Sequence, residues 1–282
     1  MLGETLDHLL LRSLAHRRAI ATEDELNRRA DSLSAESLEA GVAKFTKVIT
    51  RFEGAVPVDP ELRYLDMGCG TGELTIAFAK LGVKRITGVD FLPRSIEKAR
   101  VNAKVLGVDK DVQFVCQDLH NWVPTEKFDV LLSFDAFEHI EDPKAMLARM
   151  RDFATPNGIA VLAFGPLFHS PFGDHMGPFF KLQVPWRGVL FSEKAILRVR
   201  EECYRPTDRV NRLQEIAGGL NLMRYSEFLR YVEETGWKFR FLSVNTFLKK
   251  LPALHAACQA LMRVPGVRDY FVHNVYAVLE RR

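Results

Sequence analysis

The segment Tyr64-Leu-Asp-Met-Gly-Cys-Gly-Thr-Gly-Glu-Leu74 constrains the fold more than any other part of the chain. An apolar run ends in an acid, Asp66, and glycines follow at every second position: Gly68, Gly70 and Gly72. A helical pattern of apolar residues then begins at Leu74. Glycine permits positive φ and lets a ligand approach the backbone closely. The segment therefore predicts a strand, a tight turn and a helix, the opening of a nucleotide-binding α/β unit.

The charges around the turn select among nucleotides. The dinucleotide fingerprint is G-x-G-x-x-G, with a pyrophosphate on the helix N-terminus. Here the spacing is G-x-G-x-G, and Asp66 and Glu73 put negative charge where a pyrophosphate would lie, an unfavourable pairing. An adenosine ligand that lacks phosphates and carries positive charge suits the loop better. S-adenosylmethionine, with a sulfonium and an ammonium, meets both conditions.

The downstream pattern repeats the unit. Arg85 to Asp90 reads as a second strand ending in an acid, about 20 residues past the glycines, the spacing of a ribose-binding carboxylate. Val112 to Asp118, Phe128 to Ser133 and Gly158 to Phe164 read as strands three to five, with helical stretches at Arg94 to Val105 and Lys144 to Phe153 between them. Strand and helix in alternation predict an α/β fold with a doubly wound, mostly parallel sheet. Ligands bind such sheets beyond the carboxyl ends of the strands, where Asp66, Asp90, Asp118 and Ser133 lie.

The pieces LDMGCGTGEL, ITGVDFLPRSIEKA, VCQD and FDVLLSFDAFEHIEDP, in this order, resemble the class I S-adenosylmethionine-dependent methyltransferases. The last is similar to the small-molecule branch that includes ubiquinone-biosynthesis methyltransferases. The resemblance spans about Arg63 to Phe164 plus two C-terminal strands, and implies a seven-stranded Rossmann-like sheet. It also implies roles: Asp66, Gly68, Gly70 and Gly72 at the methionine end of S-adenosylmethionine, Asp90 at the ribose, and Phe91 beside the adenine. Gln117, Asp118 and the Leu119 amide would read the adenine edge, and Ser133 would meet the cofactor through its backbone. For Gln117, Asp118 and Ser133 the competing reading is a set of caps and turn residues.

The composition, with 47% hydrophobic and 27% charged residues among 282, is that of an ordinary globular protein. A net charge of +3 falls short of the clustered basic surface that nucleic acid needs. Cys69, Cys116, Cys203 and Cys258 form no C-x-x-C pair, so no zinc ribbon is expected. No apolar stretch reaches the ~18 residues of a membrane span, and the start lacks the pattern of a signal peptide. The expectation is a cytoplasmic protein without a metal.

Four segments follow. Residues 1–56 form a helical extension, with a capping box at Thr22-Glu-Asp-Glu25 and an apolar stripe at Val42, Phe45, Val48, Ile49 and Phe52. The stripe is expected to pack on the sheet or cover the cofactor, with a homodimer interface as the alternative. The basic, amphipathic start (Arg12, His16, Arg17, Arg18) is either a solvated face or a membrane-surface contact. Residues 57–164 form the cofactor-binding core, and 165–222, rich in proline and aromatics, a substrate-pocket insertion. Residues 223–282 supply a helix from Ser226 to a glycine stop at Gly236, last strands at Trp237 to Val244 and Val272 to Leu279, and a helical insert between them.

Methyl transfer from a sulfonium needs in-line placement of the nucleophile and often a base. Two places offer one. Glu138-His139 follows strand four, where the resemblance puts the substrate; the alternative is a turn into the next helix. The stretch Phe168 to Pro178 holds His169, Asp174 and His175 among Phe168, Phe172, Phe179 and Phe180, with Trp186 and Arg187 shortly after. His139, His169 or His175 would be the base. The phenylalanines and Trp186 would wall the pocket, and Arg187 would pair with a substrate carboxylate or phosphate. An ordinary loop is the competing reading for each single residue. The function expected is methylation of a small molecule, at oxygen or carbon. Alternatives are a non-catalytic cofactor-binding protein and a tRNA or other macromolecular methyltransferase.

Overall fold

The computed structural model describes residues 2–16, 35–203, 210–216, 219–245 and 252–282. The expected capping box at Thr22 to Glu25 and the basic residues Arg17 and Arg18 lie outside them. β1 (Tyr64–Met67), β2 (Ile86–Asp90), β3 (Val112–Cys116), β4 (Phe128–Phe134) and β5 (Ala154–Phe164) are parallel. β7 (Asn274–Arg281) runs antiparallel between β5 and β6 (Trp237–Asn245), giving a seven-stranded sheet in the order β3-β2-β1-β4-β5-β7-β6. β1 and β2 are buried along their whole length, as strands covered on both faces must be.

Alternate residues of these strands feed two cores. Tyr64, Val130, Leu132 and Val161 face one layer, with α3 (Glu73–Lys80) and α4 (Pro93–Val105). Leu65, Met67, Leu131 and Leu162 face the other, with α5 (Pro143–Phe153) and α8 (Tyr225–Glu234). Local signals set the helix ends. Asp142 caps α5 by accepting a hydrogen bond from the Ala145 N–H at 2.8 Å, with Pro143 as the first helical residue. Gly236 ends the α8 turn at φ 76°, where any side chain would run into the Arg151 guanidinium.

The N-terminal stripe packs on the sheet. Val42 of α2 (Ala35–Ile49) and Phe52, in the 3-10 turn that follows, are buried in the first core, with Phe45, Val48 and Ile49 packed against it. Phe52 is wholly buried, its ring 5.6 Å from Phe134, 5.8 Å from Phe241 and 5.9 Å from Tyr276.

The stretch after β5 is more regular than its prolines suggest. It holds α6 (Arg187–Leu190) and α7 (Glu193–Cys203). The apolar spacing of Ala195, Ile196, Val199 and Cys203 is helical, and these residues join Leu11 and Ala15 in a third apolar cluster. Leu11 belongs to α1 (Leu2–Leu14), whose His8 and Arg12 reach Glu202 of α7 at 3.1 and 3.4 Å. Phe168, Phe179 and Phe180 are buried in this cluster too. They are core for the extension, not the wall of a ligand pocket.

If Phe52 is the anchor of the N-terminal segment, Phe52→Ala should destabilise the protein by about 3–5 kcal/mol, the usual cost of emptying an aromatic core site. Urea unfolding measures this; a loss under about 1 kcal/mol would mean the segment docks without it.

Candidate active site

The strand order reverses at β1, between β2 and β4, which is where an open α/β sheet leaves a crevice. The loops after β1 and β4 meet there. A Cβ on Gly68, at φ 77°, would come within 2.9 Å of the Ala136 Cβ, so only glycine admits this approach.

A cavity of about 450 Å³ opens at this point. Gly68, Asp90, Phe91, Gln117, Asp118 and Leu119 line it, as anticipated. Asp90 is fixed from two sides: Gly70 N–H donates to Oδ2 at 3.0 Å, and Leu92 N–H to Oδ1 at 2.9 Å. Each carboxylate oxygen keeps acceptor capacity for a ligand hydroxyl. Phe91, 64% exposed, presents its ring at the mouth. β3 stops at Cys116, two residues earlier than the sequence implies, because Gln117 and Asp118 turn out of the strand. Asp118 then shapes its own loop, accepting from the His120 N–H and the Asn121 side chain.

Three anticipated residues sit behind the cavity. Asp66 is buried and accepts from Thr75 Oγ1 at 2.6 Å. Ser133 is wholly buried, its hydroxyl without a partner among the described residues. Gly72 is required by packing, since a Cβ there would lie 2.9 Å from the Phe114 ring. Met67, Asp135, Ile140, Glu141 and Met146 line the cavity unanticipated. The acids among them were visible as the run after β4, but no periodicity marks which of them face inward.

A second cavity, of about 590 Å³, adjoins the first. Asp135 and His139 line both, and Glu138, His175, Tyr276 and Lys47 line the second. The His139 and His175 rings lie 5.7 Å apart, edge to face. The two histidine segments, 36 positions apart in sequence, therefore converge. His139 Nδ1 lies 3.4 Å from the Gly219 carbonyl, and His175 Nε2 lies 3.0 Å from the Pro166 carbonyl. Burial pushes the pKa of His175 below the usual histidine value, so its ring is held neutral.

The rest of the loop is placed elsewhere. His169 lines neither cavity; its ring packs 5.4 Å from Phe168 and 6.3 Å from Tyr270, and burial lowers its pKa. Trp186 donates from Nε1 to the Tyr270 carbonyl at 2.7 Å and packs edge-on to Phe271. Arg187 is not available to a substrate anion. Its Nε and Nη2 donate to both carboxylate oxygens of Asp174, at 2.8 and 2.9 Å, and both side chains are buried. The guanidinium also lies 4.2 Å from the Phe180 ring and 5.9 Å from that of Phe172. This bidentate pair ties α6 to the loop. A buried guanidinium must find a carboxylate, and spacing alone could not tell an internal partner from a ligand.

Burial shifts two acids toward the protonated form, raising the pKa of Asp66 to about 7 and that of Glu138 to about 8. Glu138 accepts from the Gly165 N–H through Oε1 at 3.1 Å, while Oε2 is buried without a partner among the described residues. Among the described residues no group of three or more His, Cys, Asp or Glu is placed to hold a metal ion. No described helix is long and apolar enough to cross a membrane.

Residues 58–165, which include the crevice, match a family model described as a methyltransferase domain. The chain is 39% identical over 101 residues to a ubiquinone biosynthesis O-methyltransferase of Cereibacter sphaeroides, covering 36% of this chain and 40% of that one. The corresponding mitochondrial enzyme of Arabidopsis thaliana is 30% identical over 103 residues, 36% of this chain and 32% of that one. The matches thus span about two fifths or less of these relatives. A putative S-adenosylmethionine-dependent methyltransferase from Listeria monocytogenes superposes with a TM-score of 0.55 at 13% identity, over 86% of this chain and 99% of that one. Magnesium protoporphyrin IX methyltransferase from Synechocystis, with bound SAH, gives 0.54 at 15% identity, over 98% of this chain and 100% of that one. At these identities the likeness establishes the fold: a Rossmann-like, mostly parallel sheet of the methyltransferase type.

Breaking the Asp174–Arg187 pair by Asp174→Asn should cost about 3–5 kcal/mol, because it strands a buried charge. Replacing both partners by apolar residues should cost less than either single change, as denaturant unfolding can show. A pH effect follows for Glu138. Its folded pKa, about 8, lies above the ordinary 4.5, so between those values the folded state holds a proton that the unfolded chain has lost. The contribution of Glu138 to stability is therefore present below pH ~4.5 and is lost as pH rises toward 8. Glu138→Gln cannot ionise, so the stability of the wild type relative to this variant should fall between pH 5 and pH 8. A constant difference across that range would place the pKa elsewhere.

Proposed function

We propose that the protein is an S-adenosylmethionine-dependent methyltransferase that methylates a small molecule, at oxygen in preference to carbon. The charge of the crevice carries this reading. Its lining holds Asp90, Asp118, Asp135 and Glu141 and no lysine or arginine. Such a lining repels phosphates and favours a phosphate-free nucleoside with positive charge. S-adenosylmethionine supplies a methyl group already activated on a sulfonium. The names of the relatives, several of them O-methyltransferases, agree with the class.

The residues divide the work. Asp90, held by two backbone N–H groups, would accept the ribose hydroxyls, with Phe91 flanking the adenine and Gln117, Asp118 and Leu119 along its edge. Gly68 lets the backbone come close to the methionine end. His139 lines both cavities, so an acceptor in the second would lie beside it and next to the cofactor. With Nδ1 turned to the Gly219 carbonyl, Nε2 is left to take the proton from an acceptor hydroxyl as the new bond forms. Edge-on packing and neutrality suit His175 to orient His139 or to share that task. Glu138, protonated near neutral pH, can donate to the acceptor rather than repel it. A small molecule is the preferred acceptor because the second cavity is bounded on one side by α2 and on another by the loop of Gly165.

Asp90→Ala should weaken binding of S-adenosylhomocysteine by roughly 10- to 100-fold, the loss of about 1.5–3 kcal/mol of charge-assisted hydrogen bonding; calorimetry measures this. His139→Ala should retain that binding and lower transfer of a labelled methyl group by about 10²–10⁴-fold. Methyl transfer undiminished in the His139→Ala, His175→Ala double variant would remove the histidines from the mechanism. Cofactor binding with no acceptor in an extract screen would favour a binding-only protein.

A further inference from the structure

The second cavity has a charge balance that its histidines conceal. Three cations from one short stretch enter its wall: Lys44 and Lys47 from α2, and Arg51 from the 3-10 turn that follows. Two acids face them, Asp135 and Glu138. Lys44 is matched, its ammonium 2.8 Å from Asp135 Oδ2. Glu138 is buried, and burial holds its carboxyl protonated near neutral pH, so it cancels no charge. Lys47 and Arg51 have no carboxylate partner among the described residues. The Arg51 guanidinium rests 5.3 Å from the Tyr276 ring centroid. That contact orients the group by cation–π attraction and leaves its N–H fork open. Asp135 and His139 form the wall shared with the cofactor cavity, whereas Lys47 and Arg51 line only the second one. The surplus positive charge therefore lies away from the reacting side.

We propose that the methyl acceptor is an acidic small molecule whose carboxylate is held by Lys47 and Arg51, while the group to be methylated is presented to His139. This rests on the methyltransferase reading above and adds the acceptor class. Arg187 cannot supply that recognition, because Asp174 occupies its fork. The Phe52 anchor places both cations by fixing the stretch that carries them. Lys47 and Arg51 set specificity and take no part in the bond that forms.

The test uses two matched acceptors, 3,4-dihydroxyphenylacetate and catechol, which share the reacting diphenol and differ in the acid. With labelled S-adenosylmethionine and the full chain, the carboxylated probe should show a kcat/KM at least about tenfold higher, as one charge-assisted contact predicts. In Lys47→Met, Arg51→Met the advantage should vanish, with S-adenosylhomocysteine affinity and melting temperature retained. If neither probe turns over, calorimetric binding of each to the S-adenosylhomocysteine complex carries the same comparison. Equal values for the two probes, or an advantage that survives in the double variant, overturns the proposal. Failure of S-adenosylhomocysteine to bind at all would instead overturn the methyltransferase reading on which it rests.

Discussion

The close approach of two loops, after β1 and after β4, is the constraint on which the site depends. Gly68 lies so near Ala136 that a single added carbon would collide. Because of that approach the crevice at the strand reversal is narrow enough to hold a ligand from both sides. Asp90 is set by the same turn: the Gly70 N–H that holds it is available only because the glycine segment curls back toward β2. The run from Asp135 to His139 is delivered to the crevice by β4, the other strand at the reversal. One steric requirement thus couples the proposed cofactor contacts from the first two strands to candidate chemistry from the fourth.

Burial then sorts the charges. Acids that remain at the crevice surface, Asp90 and Asp118 among them, give it a negative character. Acids carried behind it, Asp66 and Glu138, are pushed toward the protonated form by desolvation. A protonated carboxyl can lie beside an acceptor without opposing it, and this lets the neighbouring cations act as a surplus. The same physics works in the opposite direction at Arg187. A guanidinium cannot shed its proton, so its burial demands Asp174 and makes the pair a structural tie.

The added segments support the core in different ways. The stretch around Phe52 closes one sheet face and brings Lys47 and Arg51 to the second cavity. The stretch after β5 builds its own core with α1 and α7, and contributes Gly165 and His175 to the cavity wall. Phenylalanines there hold the scaffold that aims one histidine.

Sequence by itself determined the elements whose signals are local. Alternating strand and helix patterns, the glycine turn, the Asp142-Pro143 start of α5 and the Gly236 stop are each decided within a few residues. So the order of strands one to five and the place of Asp90, Gln117 and Asp118 at strand ends could be read directly. At α7 the prolines and aromatics before it outweigh the helical spacing of Ala195, Ile196 and Val199, so the sequence reading leaves that stretch without a helix. Tertiary structure alone decided which polar groups face a ligand and which face each other. His139 and His175 meet only because β4 and the Gly165 loop lie side by side, and His169, six residues from His175, turns away. Arg187, the arginine the sequence singles out, is buried against a carboxylate, whereas Arg51, which it does not mark, lines a cavity. A residue type states what chemistry is possible. Desolvation and the nearest opposite charge decide what it does, and both depend on contacts between residues far apart in the chain.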